Sequence, residues 1–125
     1  MYKPLTIKSV SEKYTPKDEY TLFGQFLDDF RNEKDDKYAL IQDEPNNKTG
    51  MELFICILAA TAHKLANDND LPVPEWVLKQ QYVYTGVHYA FNTQIEEYRE
   101  HLKKTSPAEF KQRNIFLGDN VLSRI

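Results

Sequence analysis

The sequence predicts an all-α fold, and three observations support this prediction. Residues Met51–Ala66 are apolar on almost every side of a helix, which is typical of a helix buried by several neighbours. Segments of the form Ser/Thr-x-x-Glu, which cap helix N-termini, begin at Thr49, Thr93 and Ser106. Aromatic residues between positions 20 and 30 recur at helical spacing. We therefore expect a single compact domain of five or six helices around a buried central helix.

Composition places the chain among small folded domains. Its 125 residues fit one domain, and 41% hydrophobic with 28% charged residues is neither a disordered nor a fibrous composition. The net charge of −3 gives no general reason to bind nucleic acid or an anionic membrane. The N-terminus lacks the pattern of a signal peptide, and the single Cys56 has no disulfide partner within the chain. We expect a cytoplasmic protein.

The first half of the chain divides into an arm and two helices before the central one. Residues 1–14 carry scattered apolar positions and are expected to form an N-terminal arm on the surface of a helical domain that spans 15–125. Thr15 and Pro16 resemble a cap and a first helical residue. The following helix should turn an apolar face inward and a polar face to solvent: Tyr20, Phe23, Phe26, Leu27 and Phe30 inward, Asp28 and Asp29 outward. A short helix at Tyr38–Ile41 must end before Pro45.

The second half combines an extended connector with further helices. Residues 71–74 contain two prolines and are expected to be extended, and a helical turn carrying Trp76 follows. The helix after Thr93 should bury three residues: Ile95, Tyr98 and Leu102. The helix after Ser106 begins with Pro107 and should bury Phe110. We expect one more helical turn at 121–125.

The sequence contains few candidates for chemistry. Cys56 and His63 lie on one stripe of the central helix, but two turns separate them by roughly 10 Å along the axis. Metal ligands from one helix usually stand three or four residues apart, so we expect a core cysteine and a satisfied histidine. The chain has no phosphate-binding, dinucleotide-binding or nucleophile-elbow motif. We expect no enzyme activity, no cofactor and no metal; a small hydrolase or transferase using Cys56 and His63 is the least favoured alternative.

Two groups of residues are candidates for binding a partner. The aromatic stretch 76–91 either closes the core or forms a partner-binding patch, because Tyr and Trp are frequent in binding hot spots. Basic residues concentrate late in the chain, where Arg113 either binds backbone carbonyls or an acidic side chain within the domain, or projects towards a partner. The six interaction candidates are Trp76, Tyr82, Tyr84, Tyr89, Lys111 and Arg113.

Several segments together resemble a helical domain found in bacterial proteins. They are D-E-P at 43–45, A-A-x-A-H-x-L at 59–65, L-P-x-P-x-W-V at 71–77, S-P-A-E-F-K-x-R-N-I-F-L at 106–117 and V-L-S-R-I at 121–125. That domain often forms the C-terminal part of helix-turn-helix regulators, and it also occurs alone beside genes for nucleotidyltransferase-like proteins. The similarity covers residues 20–125. The residues before it are too few for a helix-turn-helix domain, so the DNA-binding role is not carried over.

The resemblance implies a protein-interaction domain, in the form of an antitoxin-like partner of a nucleotidyltransferase-like toxin. It implies no catalytic residues. The alternative is a DNA-linked regulatory accessory protein that uses the basic C-terminal third, although the chain is not expected to bind nucleic acid on its own. We expect a protein partner and no membrane association, and the sequence sets no oligomeric state.

Overall fold

The computed structural model describes residues 3–47 and 50–122, and most of its regular structure is helical. Its five α-helices are α1 (Ile7–Lys13), α2 (Glu19–Asn32), α3 (Glu52–Asp68), α4 (Glu96–Thr105) and α5 (Ala108–Lys111). Four 3-10 segments lie at Lys37–Leu40, Glu75–Leu78, Gln80–Tyr82 and Ala90–Asn92. The strands β1 (His88–Tyr89) and β2 (Ile115–Phe116) pair in parallel. The predicted all-α single domain is confirmed.

Helix α3 is the centre of the core, as its sequence predicts. Small and large apolar residues are buried on several of its faces, and Leu58 is fully buried. The helix packs against α1, α5 and the 3-10 segments at Glu75–Leu78 and Gln80–Tyr82. The predicted cap Thr49 lies outside the described residues, and Met51 stands at the N-cap position. Among the described helices, none is long and apolar enough to span a membrane.

The N-terminal segment differs from the predicted surface arm. Residues 7–13 form α1, whose Ile7 and Val10 are fully buried in the same core as α3. Thr6 and Ser9 cap its first turn reciprocally, because each side chain accepts a hydrogen bond from the other residue's backbone N–H. Residues 7–13 are polar apart from Ile7 and Val10, so their sequence alone does not predict a buried helix. Contacts with α2 and α3 determine this packing.

The burial of residues in helix α2 differs from its prediction at Tyr20 and Asp29. Phe26, Leu27 and Phe30 are buried as expected, but Tyr20 is 83% exposed. Asp29, predicted to face solvent, is buried and accepts hydrogen bonds from the Leu5 backbone N–H at 2.8 Å and from Gln25 Nε2 at 3.0 Å. These bonds satisfy the carboxylate inside the protein and fasten the start of α1 to α2.

Neither of the other two predicted capping boxes forms. Thr93 Oγ1 accepts from the Ile95 N–H at 3.2 Å, and α4 begins one residue after Ile95, which is 62% exposed instead of buried. Ser106 is buried, and its Oγ accepts from the Gly118 N–H at 2.9 Å instead of capping α5. Phe110 is nonetheless fully buried, as predicted.

Candidate interaction site

The six predicted interaction residues divide by burial, and half of them are not at the surface. Trp76, Tyr82 and Arg113 are buried in the domain, which corrects their assignment to a partner-binding surface. Each of the three side chains also donates a hydrogen bond to another group of the domain. The other three are half-buried: Tyr84, Tyr89 and Lys111.

Trp76 and Tyr82 close one side of the core around Glu44. Their rings meet edge to face, 5.3 Å apart, and Trp76 Nε1 donates to the Ile41 carbonyl at 3.1 Å. The Tyr82 hydroxyl donates to the Glu44 carboxylate, which also accepts from Lys79 at 2.8 Å. The Lys79 and Tyr82 hydrogen bonds lower the pKa of Glu44, whereas burial and the Glu44 hydrogen bond raise the pKa of Tyr82. These aromatic residues are therefore structural.

Arg113 is a buried cation that binds backbone carbonyls. It is 2% exposed, and its guanidinium donates to the Val77 carbonyl from Nη2 and to the Glu109 carbonyl from Nη1, both at 2.7 Å. Nε has no hydrogen-bond partner among the described residues. Burial lowers the pKa of Arg113, but a guanidinium stays charged at neutral pH. Of the two roles left open by the sequence, the structure supports carbonyl binding.

Cys56 and His63 contact different groups in the structure. Cys56 is buried, with Sγ 4.0 Å from the Gln81 carbonyl, and burial raises the pKa of its thiol. His63 Nδ1 lies 3.3 Å from both Arg113 Nη1 and Gln112 Nε2. No cluster of three potential metal-binding side chains occurs in the part of the chain that the structure describes. The pair forms no thiolate–imidazole arrangement.

The late basic residues do not form one free positive surface. Arg113 is buried, Lys103 pairs with Glu100 at 3.3 Å, and Arg99 lies over the Tyr89 ring at 4.7 Å from its centroid. Arg124 lies outside the described residues. Three of the positive charges are thus used within the domain.

A different set of residues exposes large apolar side chains. Three large apolar side chains between positions 87 and 95 are more than half exposed: Val87, Phe91 and Ile95. Phe91 is the most exposed of them at 89%, and its backbone lies in the left-handed region with φ 58° and ψ 17°. Asn92 follows with φ 52°. We call the segment Val87–Ile95 the Phe91 loop.

Phe91 lies in the aromatic stretch 76–91 but is not among the six interaction candidates that the sequence predicts. The one available signal was the absence of any helical or strand period around it, which is typical of an irregular loop. Left-handed backbone is rare for a bulky residue, and no local sequence pattern marks Phe91 itself for it. The exposure of Phe91 therefore depends on the tertiary structure.

The Phe91 loop is held from both sides by ordered contacts. On one side, β1 pairs with β2 in the register His88↔Ile115 and Tyr89↔Phe116, and the Tyr89 and Phe116 rings stack 5.2 Å apart. On the other side, Arg99 of α4 donates from Nε to the Thr93 carbonyl at 2.8 Å. Phe91 is thus an exposed aromatic side chain on a backbone that is held by contacts on both sides.

The comparisons with known proteins give no assignment. No protein-family model matches the chain, and neither the curated proteins nor the solved structures contain a significant match.

Proposed function

We propose that this chain is a protein-interaction domain and that the Phe91 loop contacts the partner. The observation that carries the proposal is the left-handed backbone of Phe91 combined with its nearly complete exposure. An exposed apolar side chain contributes no stabilisation by burial. Holding a bulky residue at positive φ costs on the order of 1–3 kcal/mol of backbone strain. Phe91 is 89% exposed to solvent, so its burial within the described part of the chain does not offset that cost.

Binding a partner would offset the backbone strain at Phe91. Covering an exposed phenylalanine contributes about 1.5–3 kcal/mol relative to leaving it in water. Aromatic anchors of this kind are typical of interface hot spots, where a few residues carry most of the binding free energy. Val87 and Ile95 provide further apolar surface at either end of the same loop.

The support of the loop favours recognition without large rearrangement. Arg99, β1 and β2 already hold the backbone on both sides of Phe91, so little conformational freedom remains to be lost on binding. The partner surface that suits this arrangement is a preformed apolar pocket the size of one aromatic ring.

The finer form of the proposal comes from the sequence resemblance. It makes the chain a cytoplasmic, antitoxin-like partner of a nucleotidyltransferase-like protein. A second role in DNA binding is not favoured, because the basic residues that would carry it are partly buried or paired within the domain.

The test is a comparison of partner capture by matched baits from a lysate of the native host. Wild-type chain should retain a protein partner, and Phe91→Gly should lose it, because glycine removes the ring and accepts the positive φ without strain. Leu78→Ser is the control, since Leu78 is an exposed apolar residue outside the loop. Equal capture by all three baits would refute the role of the loop, and a retained protein of another class would refute the nucleotidyltransferase-like partner.

A further inference from the structure

A second apolar surface lies between α2 and α3, separate in its residues from the Phe91 loop. It is a groove of about 180 Å³ with mainly apolar lining. An enclosed apolar cavity of roughly 150 Å³ accommodates benzene, so this groove has room for one ring-sized or leucine-sized side chain. We call it the Tyr20 groove, and its lining residues are Glu19, Tyr20, Phe23, Phe54, Ile57 and Leu117.

Three aromatic residues line the Tyr20 groove: Phe23 and Phe54, which contact each other, and the exposed Tyr20. Phe54 is buried, and the rings of Tyr14 and Phe23 pack on it at 5.1 Å and 6.4 Å. Tyr20, at one wall, is 83% exposed and stacks on no ring of the residues that the structure describes. The groove therefore has a floor of packed aromatic rings around Phe54, and the exposed Tyr20 ring is available to cover an occupant.

The charge beside the groove is negative. Glu19 is half-buried at its edge, burial raises the pKa of its carboxyl, and it has no ion-pair partner within residues 3–47 and 50–122. Burial and then the charges of Glu19 and Glu52 raise the pKa of Tyr14, which stacks on the groove floor. The edge of the groove thus carries one partly desolvated carboxylate, that of Glu19.

We infer that the Tyr20 groove binds an amphipathic helix of another protein, with one apolar anchor side chain in the groove and a lysine or arginine against Glu19. Residues of α2 and α3 line the groove together with Leu117, and an apolar helix face laid into a groove between helices is a recurrent mode of peptide recognition. A cation placed against a desolvated carboxylate is favourable, whereas a second carboxylate is repelled, so the negative edge selects basic helices. This surface goes beyond the proposed function, which depends on the Phe91 loop alone.

The test uses a displayed library of helical peptides with leucine or phenylalanine at positions i, i+4 and i+7 and random residues elsewhere. Selection against the wild-type chain should enrich lysine or arginine next to the anchor. Glu19→Lys should lower the affinity for the enriched peptides by about tenfold or more, and Tyr20→Ser should also lower it. Phe91→Gly should bind them like wild type, which separates this surface from the Phe91 loop.

Two further measurements complete the test. Tyr20→Ser should melt like wild type because Tyr20 is exposed. Glu19→Lys should remain folded with a slightly lower melting temperature, because it reverses a charge in the first turn of α2. A nuclear magnetic resonance titration should show a lower pKa of Glu19 in the peptide complex than in the free chain. The inference is overturned if no peptide is enriched, if enriched peptides lack a basic residue, or if Glu19→Lys binds them equally. It is also overturned if the free chain self-associates and Tyr20→Ser abolishes that association, because the occupant is then a second copy.

Discussion

Arg113 Nη2 donates a 2.7 Å hydrogen bond to the backbone carbonyl of Val77, and this bond links two parts of the chain that surround α3. The same guanidinium binds the Glu109 carbonyl and approaches His63 of α3. A buried charge is tolerated here because carbonyl oxygens replace its water shell. Arg113 therefore joins the 3-10 segment at Glu75–Leu78, α5 and α3 around one polar point inside the core.

Removing this cation should destabilise the domain strongly. Arg113→Ala deletes two charge-assisted hydrogen bonds and leaves the Val77 and Glu109 carbonyls without their donor, so we expect a loss of roughly 3–5 kcal/mol in the free energy of unfolding. Urea melts measure this loss. The matched control is Lys111→Ala, a half-buried cation two residues away, which should change stability by no more than about 0.5 kcal/mol. Similar melts for the two variants would contradict the structural role of Arg113.

The contact of His63 with Arg113 predicts a dependence of stability on pH. Nδ1 of His63 faces the N–H donors of Arg113 and Gln112, so it must be the unprotonated nitrogen. Burial, and after it the Arg113 charge, lower the pKa of His63 below its ordinary value of 6.5. The unfolded chain therefore binds more protons just below pH 6.5, and the free energy of unfolding should fall as pH drops from about 6.5 towards the folded pKa.

A pair of variants separates His63 from a second histidine. Burial also lowers the pKa of His88, which acts in the same direction. In urea melts between pH 7.5 and 5, His63→Asn should reduce the slope, because the amide oxygen replaces the acceptor Nδ1 but does not titrate. His88→Asn is the parallel variant and should leave the His63 contribution in place. A slope that His63→Asn does not change would show that this contact does not control the pH response.

Leu58 tests the position of the core. It is fully buried on α3, so Leu58→Ala should cost about 2–5 kcal/mol by leaving a cavity between packed helices. The control is Leu78→Ala, because Leu78 is exposed and should lose less than about 0.5 kcal/mol. Chemical denaturation of both variants gives the comparison, and a cost below about 1 kcal/mol for Leu58→Ala would place the core elsewhere.

The sequence predicted those elements whose signal is local. Helix α3 was predictable because its residues are apolar all round, and the burial of Phe110 followed from helical spacing after Pro107. Helix α1 was missed because its burial depends on distant contacts, such as the bond from the Leu5 N–H to Asp29. That contact also explains why the acidic residue predicted for the surface lies inside.

The candidate interaction site was less predictable than the fold. An aromatic residue signals burial and binding equally, and only tertiary contacts separate the buried Trp76 and Tyr82 from the exposed Phe91. Ser106 shows the same limit, because its hydroxyl has a choice between the helix start and the Gly118 N–H. The partner of such a group is decided by chain segments that a local pattern does not contain.

We propose that Phe91 is maintained for binding at the expense of stability, and one variant measures both quantities. With the captured partner purified, Phe91→Gly should weaken binding by at least about 2 kcal/mol, which is roughly thirtyfold in Kd, as expected for loss of a hot-spot residue. In the same variant the free energy of unfolding should stay unchanged or rise by up to about 1 kcal/mol, because glycine relieves the positive φ at an entropic cost. Titration calorimetry and urea melts on one preparation give the two values. Unchanged binding, or a stability loss large enough to account for weaker binding, would contradict the account.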